Sequence, residues 1–187
     1  METINPAKLL TQITPILDKL QMPYFVTGGF AVSVWGRPRA TFDIDIVIKM
    51  KEPETNKLTK MLREISEFGY INEDTVREAI RNKGEFNFID PETGVKADFW
   101  VAGGGQDSEE EFSRRKAKKI DSQRVYFISP EDLILSKLRW YKISPSSRHL
   151  EDIESVLKIS GDIIDKSYLL KQSQQQDTAE DLDKFLQ

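Results

Sequence analysis

The sequence predicts an α+β fold: a mixed β-sheet with flanking helices over residues 1–128, then a helical extension over residues 129–187 that closes one side of a cleft. Three observations carry that expectation. Short apolar or alternating runs at 24–27, 41–50, 85–90, 95–101 and 124–128 read as strands. Amphipathic runs lie between them, and from Ser129-Pro130 onward the pattern is helical throughout. A chain of 187 residues buries roughly 70% of its unfolded surface, which suffices for a core without cross-links.

The elements follow in order. Asn5 before Pro6 reads as an N-cap followed by proline at the first helical position. Leu9, Leu10, Ile13, Ile16, Leu17 and Leu20 then line one stripe of a helix over 6–20. The strand at 24–27 runs straight into Gly28-Gly29, and a short helix over 30–35 stops at Gly36 and Pro38. The run 41–50 alternates strictly, and 54–68 is amphipathic through Leu58, Met61, Leu62, Ile65 and Phe68. A shorter helix occupies 73–82. The strands at 85–90 and 95–101 are joined by Pro91-Glu92-Thr93-Gly94, a hairpin connection. Beyond Gly103-Gly104-Gly105, the acids Glu109 to Glu111 precede the bases Arg114, Arg115, Lys116, Lys118 and Lys119 at helical spacing. That order predicts one solvated helix, with a phosphate-facing patch as the other reading. Ser129 caps the next helix, with Pro130 first and Asp132 third, an acidic form of the capping box. Helices over 131–141 and 148–159 follow, with two short ones after Ile163.

Composition narrows the function. Without cysteine there is no disulfide, thiolate metal site or cysteine nucleophile, and one histidine, His149, excludes any site built on several imidazoles. With 27 basic against 31 acidic side chains the net charge is -4, which speaks against coating nucleic acid by bulk charge. The longest uncharged run, 20–36, is interrupted by Pro23, Gly28 and Gly29 and is too short for a membrane span of about 20 residues. Residues 1–5 have neither the basic nor the apolar region of a signal peptide, so a cytoplasmic location is expected.

The chemistry concentrates in Asp43-Ile44-Asp45. Residues two apart on a strand face one side, so both carboxylates project together, about 6.5–7 Å apart along the chain. Phe42, Ile44, Ile46 and Ile48 point the other way. Side-by-side like charges call for a compensating cation, and oxygen ligands without imidazole or thiolate favour Mg2+ or Mn2+. A solvated polar face would give the same alternation. Asp98 tips the balance: in 95–101 it stands opposite Ala97, Phe99 and Val101 and could complete a three-carboxylate metal site, with Trp100 on its own face. Such a site suits transfer of a phosphoryl or nucleotidyl group. The Gly28-Gly29 turn offers backbone N–H groups at a helix start for a triphosphate, and Arg39 could meet its phosphates.

Gly28-Gly29, thirteen intervening residues and Asp43-Ile44-Asp45 together resemble the nucleotidyltransferase superfamily, whose head is polymerase-beta-like. The wording Gly36-Arg37-Pro38-Arg39-Ala40-Thr41-Phe42-Asp43-Ile44-Asp45 resembles its AbiEii-type toxin branch and, more distantly, the head of CCA-adding enzymes. The stretches 128–138 and 148–153 resemble that branch too. The resemblance implies a nucleotidyltransferase-like sheet and a metal-dependent enzyme that moves a nucleoside monophosphate from a nucleoside triphosphate to a hydroxyl. The acceptor would be a small molecule, an RNA end or a protein, and a protein partner is implied by the toxin–antitoxin branch. Asp43 and Asp45 match the metal pair, Asp98 the acid that helps activate the acceptor, and Gly28 and Gly29 the phosphate turn. Lys137 matches a lysine that reaches the nucleotide phosphates and Asp152 the last acidic position, whereas His149 stands where the branch commonly has an aspartate. A non-catalytic nucleotide-binding or toxin–antitoxin-type interaction module with the same fold is the alternative.

Overall fold

The computed structural model describes residues 5–186. In chain order its elements are α1 (Pro6–Lys19), β1 (Tyr24–Thr27), α2 (Gly28–Trp35), β2 (Asp43–Ile48), α3 (Thr55–Arg63), α4 (Glu73–Asn82), β3 (Glu85–Asp90) and β4 (Val95–Val101). There follow α5 (Gln106–Arg114), β5 (Lys116–Ile120), β6 (Gln123–Phe127), α6 (Pro130–Ile143), α7 (Ser147–Ser160), α8 (Lys166–Gln175) and α9 (Ala179–Leu186). Among the described residues six strands form one sheet in the order β3-β4-β2-β1-β6-β5. The sheet is mixed: β2 runs parallel to β4 and β1 parallel to β6, while β1–β2, β3–β4 and β5–β6 are antiparallel.

Internal contacts divide the chain into two units: the residues up to Phe30 with Ala40–Phe127, and Ala31–Arg39 with the residues from Ile128 onward. Residues 31–39, expected within the first region, thus group with the second. Tryptophan chemistry explains it. Trp35 is buried and donates its indole N–H to the Ile128 carbonyl at 2.9 Å, while its own carbonyl accepts from Ser160 Oγ. A Cβ on Gly36 would lie 2.5 Å from Ser155 Oγ, so a side chain there would displace the hydroxyl that accepts from the Arg37 backbone N–H.

In the first unit, alternation sets the core. Ile44, Ile46 and Ile48 share a buried face with Ala97, Phe99 and Val101, while Asp43 and Asp45 point the other way. Helix α1 packs against β2 and α3, burying Leu9, Leu10, Ile13 and Leu17, each worth about 1.5–3 kcal/mol. Asn5 caps it, its side chain accepting from Ala7 N at 3.0 Å. The helix expected to reach residue 68 stops at Arg63, and Phe68 is exposed.

The expected single charged helix is corrected. Only its acidic half is helical; Arg115 turns extended (φ -52°, ψ 144°) and the lysines form edge strand β5. Pairs at i,i+4 contribute only about 0.2–0.5 kcal/mol each. Against them stands a full ladder with β6, closed by the tight turn at Asp121-Ser122, where Asp121 has φ 51°. Aspartate tolerates that left-handed backbone better than most residues.

In the second unit, Ser129 caps α6 as expected: its hydroxyl accepts from Asp132 N at 3.1 Å and donates to Asp132 Oδ2 at 2.6 Å. Asp132 is buried, and Tyr168 Oη donates to its other oxygen at 2.8 Å. Leu133, Ile134, Leu135 and Leu138 of α6 form the core of this unit with Ile153 and Val156 of α7 and Leu169 of α8. Among the described residues no helix is long and apolar enough to cross a membrane.

Candidate active site

Parallel register decides how the acids meet. Asp45 on β2 pairs with Asp98 on β4, and Asp43 with Lys96. Lateral partners in a sheet share a face, so all three carboxylates stand on the side of the sheet opposite Ile44 and Phe99. The row continues across four strands, Thr27 beside Asp45 and Asn87 beside Asp98. Asp43 is exposed, whereas Asp45 and Asp98 are half-buried.

Gly28 is fitted to Asp45. Strand β1 passes into α2 without a linker, and Gly28 makes the turn at φ +63°. A Cβ there would lie 1.8 Å from Asp45 Oδ2 and 2.6 Å from its Cγ. The missing side chain is the room the carboxylate occupies, so Gly28 is required both for its dihedral and for this approach. Gly29 follows in the first turn of the same helix.

Lys96 was not among the residues singled out from sequence. Its ammonium lies 2.8 Å from Asp98 Oδ2. The hydrogen bond to Asp98 raises the Lys96 pKa, burial works against it, and the nearby charges of Asp98, Asp43 and Glu85 add to the rise. Parity alone places Lys96 on the face of Asp98, two residues before it, and that was the available signal. Among the described residues no three His, Cys, Asp or Glu side chains are gathered as a metal-holding group. The donor set nevertheless suits a hard divalent ion: oxygen donors only, on one face, with one of them seated in a glycine cradle.

Arg39, Lys137 and Asp152 form a second cluster, within the second unit. Arg39 donates to both Asp152 oxygens, Nε at 2.9 Å and Nη2 at 3.1 Å, and Lys137 Nζ lies 2.9 Å from Oδ2. Burial pushes the Asp152 carboxyl up, but the Arg39 hydrogen bonds and the Lys137 charge outweigh it and hold the group below its ordinary range. His149 stands nearby, its pKa lowered by burial and then by the Lys137 charge, with the Asp152 carboxylate acting the other way.

The chain matches the family model for the AbiEii nucleotidyl transferase toxin of type IV toxin–antitoxin systems over residues 16–185. It belongs to the AbiEii family. Nucleotidyl transfer is the general chemistry of that family, and solved structures agree on the fold. The antibiotic-resistance factor ANT(2'')-Ia in solution superposes with a TM-score of 0.62 at 14% identity, over 97% of this chain and 97% of the other. The lincosamide antibiotic adenylyltransferase LnuA with bound lincomycin gives 0.58 at 18% identity, over 84% of this chain and 99% of the other. A nucleotidyltransferase-like protein from Thermotoga maritima gives 0.50 at 13%, over 80% and 95%. No curated protein matches by sequence. In this AbiEii-family chain the glycine turn and the three acids fall in the first unit, and Arg39, Lys137 and Asp152 in the second.

Proposed function

We propose that this chain moves a nucleoside monophosphate from a nucleoside triphosphate to a hydroxyl acceptor and releases pyrophosphate, with Mg2+ or Mn2+ serving the reaction. The register that sets Asp98 beside Asp45, with Asp43 on the same face, carries this reading. Family membership supports it.

In the proposed step the acceptor oxygen bonds to the α-phosphorus as the bond from that phosphorus to its bridging oxygen breaks. The hydroxyl proton passes to Asp98. Asp43 and Asp45 would hold the divalent ion, which supplies neutralisation of phosphate charge. Backbone N–H groups of Gly28 and Gly29 would receive phosphate oxygens at the start of α2. Lys137 is assigned to nucleotide phosphate from the family resemblance, and Arg39 from its place just before the acidic strand. Both already engage Asp152, so a phosphate has to compete with that carboxylate, and the trio offers one net positive charge. The acceptor is a small molecule, an RNA end or a protein side chain. A triphosphate donor fits a cytoplasmic location, and a toxin family fits a protein partner.

Calorimetric titration of a non-transferable triphosphate, with and without Mg2+, tests the donor half. The expected result is binding that needs the metal. Equal binding after chelation would contradict the metal assignment. Metal-dependent binding with no transfer to any component of a cell extract would favour a non-catalytic module.

A further inference from the structure

We propose that Lys96 is a built-in counter-ion that holds Asp98 until a divalent ion displaces it, so that metal and ammonium compete for one carboxylate. The inference rests on the metal reading above and concerns how that site is regulated. Lys96 lies opposite Asp43 in the register and two residues before Asp98 on the same strand face. Its ammonium is 2.8 Å from Asp98 Oδ2, with the lysine side chain 38% exposed and the aspartate 15%. Asp43 and Glu85 are the other charges that act on it. The lysine therefore supplies the compensating cation that three acids on one face demand.

The same geometry makes the cation displaceable. A half-exposed ion pair contributes little to folding, so the sheet does not depend on it. Lysine is a point charge on a flexible four-carbon stem, unlike the fixed fork of arginine. Once a divalent ion takes Asp98, Glu85 is the charge left to attract the ammonium.

Mn2+ alone, titrated into nucleotide-free protein and followed by electron paramagnetic resonance, tests the competition. Lys96→Met should bind Mn2+ roughly fivefold more tightly than the parent, as expected for removal of a partly screened pair. Lys96→Arg, which keeps the charge, should stay near the parent and serves as the folding control. In an Asp98→Asn background, Lys96→Met should lose its effect, because the two residues act as one coupled pair. Mn2+ binding of equal strength in Lys96→Met and parent would overturn the inference and leave the metal reading intact. So would an effect of full size in the Asp98→Asn background, which would make Lys96 a general charge. If neither protein binds Mn2+ even beside a non-transferable triphosphate, the metal reading itself falls, and this inference with it.

Discussion

At Gly28 one missing side chain does two things. It lets the backbone take φ +63° between β1 and α2, and it leaves the volume that Asp45 Oδ2 fills. Gly28→Ala meets both constraints together. The left-handed backbone alone costs about 1–2 kcal/mol for a residue with a Cβ. The contact at 1.8 Å forces the Asp45 carboxylate to another rotamer. The variant should therefore fold with a lowered thermal midpoint and lose Mg2+-dependent triphosphate binding, which calorimetry reads directly. Gly94 is the contrast: at φ +71° no atom lies within 4 Å of its added Cβ. Gly94→Ala should carry the backbone penalty and keep nucleotide binding.

Among the elements, α7 presents Asp152 to cations from two other segments, Arg39 and Lys137. Asp152 is only 3% exposed. Its folded carboxyl sits below the ordinary value of 3.8, so its contribution is complete above pH 3.8 and is lost as pH falls through the lower folded value. Asp152→Asn strands two cations and should cost about 2–3 kcal/mol at pH 7, discounted for the exposure of Arg39. Thermal melts across pH should show parent and variant converging only in acid. A gap that persists unchanged at pH 2 would mean the carboxylate charge is not what holds this cluster. The elements also differ in how far they could be read in advance. Strands β2 and β4 alternate so regularly that the common face of Asp43, Asp45 and Asp98 follows from parity. Strand β5 does not: Lys116 to Ile120 has neither alternation nor apolar content, and its conformation is imposed by the β6 ladder and the turn at Asp121. Tertiary pairing there overrides local charge spacing. The grouping of residues 31–39 with the second unit was hidden for a similar reason, since it rests on hydrogen bonds from Trp35 and Arg37 to residues more than 90 positions away. Lys96 was legible by parity but carried no motif to mark it.

For the whole molecule, the carboxylate face bears on stability as well as chemistry. Asp45 stands directly beside Asp98, so Asp45→Asn removes a like charge whose effect is offset while Lys96 holds Asp98. The change it makes in the metal-free thermal midpoint should therefore be more favourable by about 1–2 °C in a Lys96→Met background than in the parent, on a scale where 1 kcal/mol moves a domain of this size by about 2–4 °C. Asp98→Asn differs, because Asp98 also holds Lys96. Its midpoint should stay level or fall. Chelated samples read by calorimetric melting check both, and an Asp45→Asn change of the same size with and without Lys96 would mean that the acids do not repel one another. The measurement closest to the central claim is transfer of label from an α-labelled nucleoside triphosphate, incubated with Mg2+ and cell extract, by parent and by Asp98→Asn. The account predicts that the parent moves the label onto an acceptor and releases unlabelled pyrophosphate, whereas Asp98→Asn binds the triphosphate and transfers nothing. Undiminished transfer by Asp98→Asn would contradict it.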